Sequence, residues 1–187
     1  MKKTIHTLAP FVAAAALALA AAGAAQAQAV RSERNMSLEL ANQIAGATVA
    51  ACLANGYAVS ATVVDRAGGV RAVQRADQAG AHTLGASEAK AWTSASAKNT
   101  TLAMMEAAQK NPAAANLVNI PGFLLLGGGV PVKVGNEVIG AVGVGGAPGG
   151  HLDEQCALAP RVCGPALSAR CTARTPPARS TTVAVTA

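Results

Sequence analysis

Residues 127–146, GGGVPVKVGNEVIGAVGVGG, hold eight glycines among Val and Ile, and no other stretch limits the fold so tightly. β-Branched residues favour strands, whereas glycine inside a strand marks a bulge, a bend or a place where something approaches the backbone closely. Val130, Val132 and Val134 alternate with Pro131 and Lys133, Gly135-Asn136 is a two-residue turn tolerant of positive φ, and Glu137 to Val144 is the return strand. The segment predicts a hairpin. The motif tests for a phosphate loop fail: GxGxxG begun at Gly143 meets Pro148 where glycine is needed, and no GxxxxGK[ST] occurs. Gly127 to Gly129 and Gly145 to Gly150 exceed what turns require, which leaves room for a flat ligand or for a second backbone.

The rest of the chain supplies partners for that hairpin. Ser37 is a good helix N-cap with Glu39 in the first turn, Leu40, Ile44, Ala47, Thr48 and Ala51 recur at helical spacing, and Asn55-Gly56 is a stop signal. YAVSATVVD (57–65), the turn RAGG and VRAVQR form a second predicted hairpin. Thr83 to about Asn99 reads as a helix, TLAMMEAAQKN as a third helix or its continuation capped by Thr100 or Thr101, and HLDEQCALA as the start of a last one stopped by Pro160. Helices interposed between hairpins make the class α+β with a largely antiparallel sheet.

Residues 1–29, two lysines followed by an Ala-rich apolar run and two A-x-A sites, read as a secretory signal peptide, so the mature protein is expected to be soluble and periplasmic or secreted. The body is 30–159. Residues 160–187, with four prolines, four arginines and no acid, read as a frame-shifted gene end or a disordered tail. The net charge of +6 lies in these flanks, for between Val30 and Ala159 nine basic residues face nine acidic ones. With one Trp, one Tyr and two Phe in the whole chain, the protein has neither the basic face nor the stacking residues of a nucleic-acid binder. No membrane insertion is expected after signal cleavage.

Cys52, Cys156, Cys163 and Cys171 allow three pairings, and an exported chain makes them disulfide candidates. Cys52 with Cys156 is favoured because the other two fall in the tail; two buried thiols are the alternative. No CxxC or HExxH supports zinc, and no GxSxG supports a serine hydrolase. His82 and His151 each precede a helix and read as exposed loop histidines, while Asp65 reads either as a base or as the residue opening the DRAGG turn.

VSATVVDRAGGVRAVQRADQAGAHTLGASEAKAWTSAS and NIPGFLLLGGGVPVKVGNEVIGAVGVGGAPGGHLDEQCALA resemble the heme-binding domain family that includes HbpS, GlcG and the C-terminal domain of PduO, from about Ser37 to Ala159. The pieces that carry the resemblance are VVDRAG, the R-x-D-x-A segment at Arg75 to Ala79, Lys90-Ala91, GGGVPV and GAVGVGG. It implies a sheet of about five strands with helices on both faces, an α/β/α sandwich of profilin-like kind. It also implies homo-oligomers, and heme as cofactor in uptake, sequestration, degradation or sensing. For this chain it points to His82 as metal ligand with Thr83 beside it, and to Arg75 or Lys90 as propionate partners. Two rival functions go with it: an enzyme of small-metabolite or glycolate-utilisation type, and an interaction module whose partner is a sensor-kinase ectodomain. Ala81 departs from the Pro common in relatives, and the last helix departs in stopping at Pro160.

Overall fold

The computed structural model describes residues 31–162. The signal peptide read at 1–29 lies outside them, as does the tail from residue 163 onward. Within them the order is α1 (Leu38–Leu53), β1 (Ser60–Asp65), β2 (Val70–Arg75), α2 (His82–Ala97), α3 (Thr101–Lys110), a 3-10 turn (Ala115–Asn119), β3 (Gly129–Val134), β4 (Glu137–Gly145) and α4 (Gly150–Leu158), followed by a 3-10 turn at Ala159–Val162. The strands form one antiparallel sheet in the order β2-β1-β4-β3.

Local chemistry sets these limits. The Ser37 side chain accepts the Leu40 amide at the start of α1, and Thr100 does the same for Ala103 at the start of α3. Gly135, at φ 62°, makes the β3–β4 turn, a conformation that glycine adopts without a steric penalty. The buried face of α1 is Ala41, Ile44, Ala45, Thr48, Val49 and Cys52. It is displaced from the stripe expected through Ala47 and Ala51, because alanine on every side of a helix leaves hydropathy little to distinguish.

β1 is buried along its whole length and β4 from Val138 onward, which requires cover on both faces of the central pair. Ala61, Val63, Val142 and Val144 join Ile44, Val49, Cys52, Cys156 and Ala157 in the main core, the α1 and α4 side. Ser60, Thr62 and Val64 point the other way, to α2. Cys52 and Cys156 form a disulfide, Cα–Cα 5.3 Å, which ties α1 to α4.

The described residues contain four strands where the resemblance implies about five. The apolar run Leu124–Leu126 does not become a strand because helix side chains take its backbone groups: the Leu124 amide donates to Thr93 Oγ1 and the Leu126 carbonyl accepts from Thr101 Oγ1. Pro121 before it has no amide to offer a ladder.

Candidate functional site

At most of the glycines of residues 127–150, Gly135 and Gly149 excepted, the space a side chain would take is filled by the chain's own backbone. A Cβ on Gly127 would lie 2.8 Å from the Gly150 carbonyl carbon, one on Gly128 2.8 Å from the Val144 oxygen and one on Gly129 2.4 Å from the Lys90 oxygen. On β4, a Cβ at Gly143 would meet the Ser87 oxygen at 2.0 Å. Glycine there lets α2 and the 127–129 segment lie directly on the sheet, so these positions line no ligand cavity.

Asp65 is the keystone of a turn. Its Oδ1 accepts the amides of Ala67 and Gly69, both at 2.9 Å, and its Oδ2 accepts Arg71 Nε at 3.0 Å. A carboxylate so engaged, and buried, is placed for the turn and not for proton abstraction.

Lys90 is also committed. Its ammonium is 1 % exposed and donates to the Val144 carbonyl at 2.8 Å and to Asp153 Oδ2 at 2.7 Å, while Asp153 Oδ1 accepts the Ala147 amide at 3.0 Å. Burial raises the Asp153 carboxyl above its ordinary range, and the hydrogen bond and charge of Lys90 pull it back down. The role of propionate partner expected of Lys90 therefore does not fit: the side chain locks α2 to β4 and α4 and offers a ligand nothing. Its position among Thr83, Ser87, Ala91 and Ser94, all buried on one helical stripe, was the available signal that it faces inward.

The remaining expected residues come together at one corner. Arg75 closes β2 and pairs in register with Ser60, so both side chains and that of Val73 rise on the α2 face of the sheet. Thr83 Oγ1 donates to the Gly80 carbonyl and, having spent its proton there, accepts from Ser60 Oγ, both at 2.7 Å. Thr83 is 1 % exposed and lies beneath the corner as support. A guanidinium nitrogen of Arg75 donates to the Ala79 carbonyl, which anchors the 76–81 loop in which Gln78 takes a left-handed φ of 67°.

Above this support His82 opens α2, exposed, on a helix end whose N-cap, Ala81, has no capping side chain. On the other side of buried Thr83, Leu84 is 41 % exposed, and on β2 Val73 is 43 % exposed. An imidazole and a guanidinium with four further donors are thus exposed at the corner where the 76–81 loop carries β2 into α2, with Val73 exposed two residues before Arg75 on the same face of β2. That set suits a flat apolar ligand carrying a metal and acidic substituents. His151 is exposed at the start of α4, and no group of three or more His, Cys, Asp or Glu among the described residues could hold a bare metal ion.

A profile described as haem degrading protein HbpS-like matches residues 36–160. A crystal structure of HbpS is 37% identical, covers 72% of this chain and 94% of its own, and superposes with a TM-score of 0.67; a double mutant of Streptomyces reticuli HbpS superposes equally well at 36% identity, over 72% of this chain and 91% of its own. Klebsiella pneumoniae ORFY is 33% identical over 69% of this chain and 92% of its own, TM-score 0.64. A PduOC–heme complex shares the fold at 21% identity, over 67% and 91% of the two chains, TM-score 0.60. Among curated proteins none matches.

Proposed function

The chain belongs to the HbpS-like family, and from that premise we propose that it is an exported heme-binding protein whose site is the corner between the end of β2 and the start of α2. The observation that carries this reading is the exposure of His82 and Arg75 at one corner, where Arg75 holds the Ala79 carbonyl and the Ser60–Thr83–Gly80 hydrogen bonds fix the start of α2 to β1. Imidazole is a common axial ligand of heme iron, apolar side chains suit the face of a porphyrin, and an arginine fork suits a carboxylate. Heme, once bound, supplies the redox chemistry of its iron. The protein supplies the ligand, the charge partner and the rigid base that holds both. Export agrees with the Cys52–Cys156 disulfide, which persists in oxidising compartments. The metabolite-enzyme reading has lost both of its supports, since Asp65 holds a turn and backbone fills the glycine-lined positions.

Titration with hemin, followed by Soret absorbance and by quenching of Trp92, the only tryptophan, tests the proposal. A saturable Soret shift is expected, weakened about tenfold or more by His82→Ala, a loss of roughly 1.4 kcal/mol. A saturable shift indifferent to His82→Ala would remove the ligand and keep heme binding. No saturable shift would overturn the proposal.

A further inference from the structure

The ring of His82 rests on Gly80. A Cβ built there would lie 2.8 Å from Cε1 and 3.0 Å from Nδ1 of the imidazole, inside the separation that real Cβ contacts keep. The backbone gives glycine no other reason to be present, because Gly80 is not among the positive-φ glycines. Its freedom from a side chain is spent on the histidine.

The peptides on either side are pinned. Arg75 holds the Ala79 carbonyl, and the Gly80 carbonyl is held twice by Thr83, through the hydroxyl at 2.7 Å and the amide at 3.1 Å. Thr83 is in turn fixed to β1 by Ser60. A methyl group added to Gly80 cannot be relieved by rotating those peptides without breaking these bonds, so the imidazole must move.

Resting on His82 as the ligand of the proposed site, we infer that Gly80 is its positioning residue: the missing side chain sets where the imidazole stands at the start of α2 and hence how it meets a metalloporphyrin. Two internal controls exist. Gly85 lies on the same helix with nothing within 4 Å of a built Cβ, and at the start of α4 a Cβ built on Gly149 would lie 2.8 and 2.9 Å from Cε1 and Nδ1 of His151, away from the proposed site.

The test compares Gly80→Ala, Gly85→Ala, Gly149→Ala and His82→Ala in the full chain, by hemin titration, visible and electron paramagnetic resonance spectra of the ferric complex, and circular dichroism for folding. Gly80→Ala is expected to change the ligand-field spectrum and to weaken hemin about threefold, less than His82→Ala does, a misplaced ligand being less costly than an absent one. Gly85→Ala and Gly149→Ala are expected to keep the wild-type spectrum. If His82→Ala alters the spectrum and folded Gly80→Ala does not, the inference falls while the heme reading stands. If His82→Ala is itself silent, ligand and positioning residue fall together. Should Gly80→Ala fail to fold, the wild-type protein decides: a nuclear Overhauser contact between His82 Hε1 and the Gly80 α protons is expected, and its absence overturns the seat.

Discussion

On the α1 and α4 side of the sheet, seventeen buried residues, among them Ile44, Val63, Ile139 and Val142, form one apolar core closed by the Cys52–Cys156 disulfide. On the α2 side the apolar cluster is only Val64, Ala91, Ala95 and Ala141. Hydroxyl pairs, Ser60 with Thr83 and Thr62 with Ser87, each 2.7 Å apart, fill the rest of that interface together with the Lys90–Asp153 pair. Apolar contact is indifferent to small slides, whereas hydrogen-bonded pairs are lost when a helix shifts by a fraction of a turn. The first face therefore supplies most of the adhesion and the second fixes where α2 stands, which is what a ligand at the start of α2 requires.

Breaking the ion pair is the severest test of that division. Lys90→Met leaves the Asp153 carboxylate buried without its cation, at an expected cost of about 3–5 kcal/mol in urea denaturation. Replacing both members, Lys90→Met with Asp153→Leu, recovers most of the loss, and a double variant as unstable as the single one would show that the face depends on the charges themselves. Removing the disulfide by Cys52→Ser with Cys156→Ser acts on the other face, at about 2–4 kcal/mol, without altering hemin affinity. A change in affinity would mean that the two faces are not separable.

Smaller effects separate registration from adhesion. Ser87→Ala strands the Thr62 hydroxyl and is expected to cost about 1–3 kcal/mol, while adding Thr62→Val removes the orphan and returns stability toward wild type. The least effect is in pH. Burial raises the Asp153 carboxyl in the folded state, so between the ordinary carboxylate value and the raised one the folded protein binds more protons than the unfolded chain. For this group unfolding free energy then falls as pH rises through that window, and Asp153→Asn should flatten that part of the profile.

Much of this was legible in the sequence where local chemistry decides: the Ser37 cap, the DRAGG turn built on Asp65, the Gly135-Asn136 turn and the end of α3 before Pro112. What escaped depends on contacts far along the chain. Nothing near Lys90 announces a carboxylate 63 residues away, and Asp153 in a helical first turn looks like an ordinary dipole partner. The purpose of the glycines was equally hidden, since a position kept clear for a carbonyl of α2 and one kept clear for a ligand carry the same letter. At the corner between β2 and α2, residue type alone marks His82 as an exposed loop histidine and only the family resemblance points to it and to Arg75 as ligand contacts; the fold adds that Thr83 is buried beside them and that Lys90 points elsewhere.

The bond between Cys52 and Cys156 has a mechanical meaning as well. Every strand, with α2 and α3, lies inside the loop of sequence separation 104 that it closes. Tension applied to segments outside that loop runs from α1 through two sulfur atoms into α4, and the sheet sits off the load path. On the order of 350 Å of contour length, at about 3.4 Å per residue, is withheld from extension while the bond is intact. A pull that would unzip a free sheet strand by strand can here strip only the helical ends, and the corner between β2 and α2 is shielded from force.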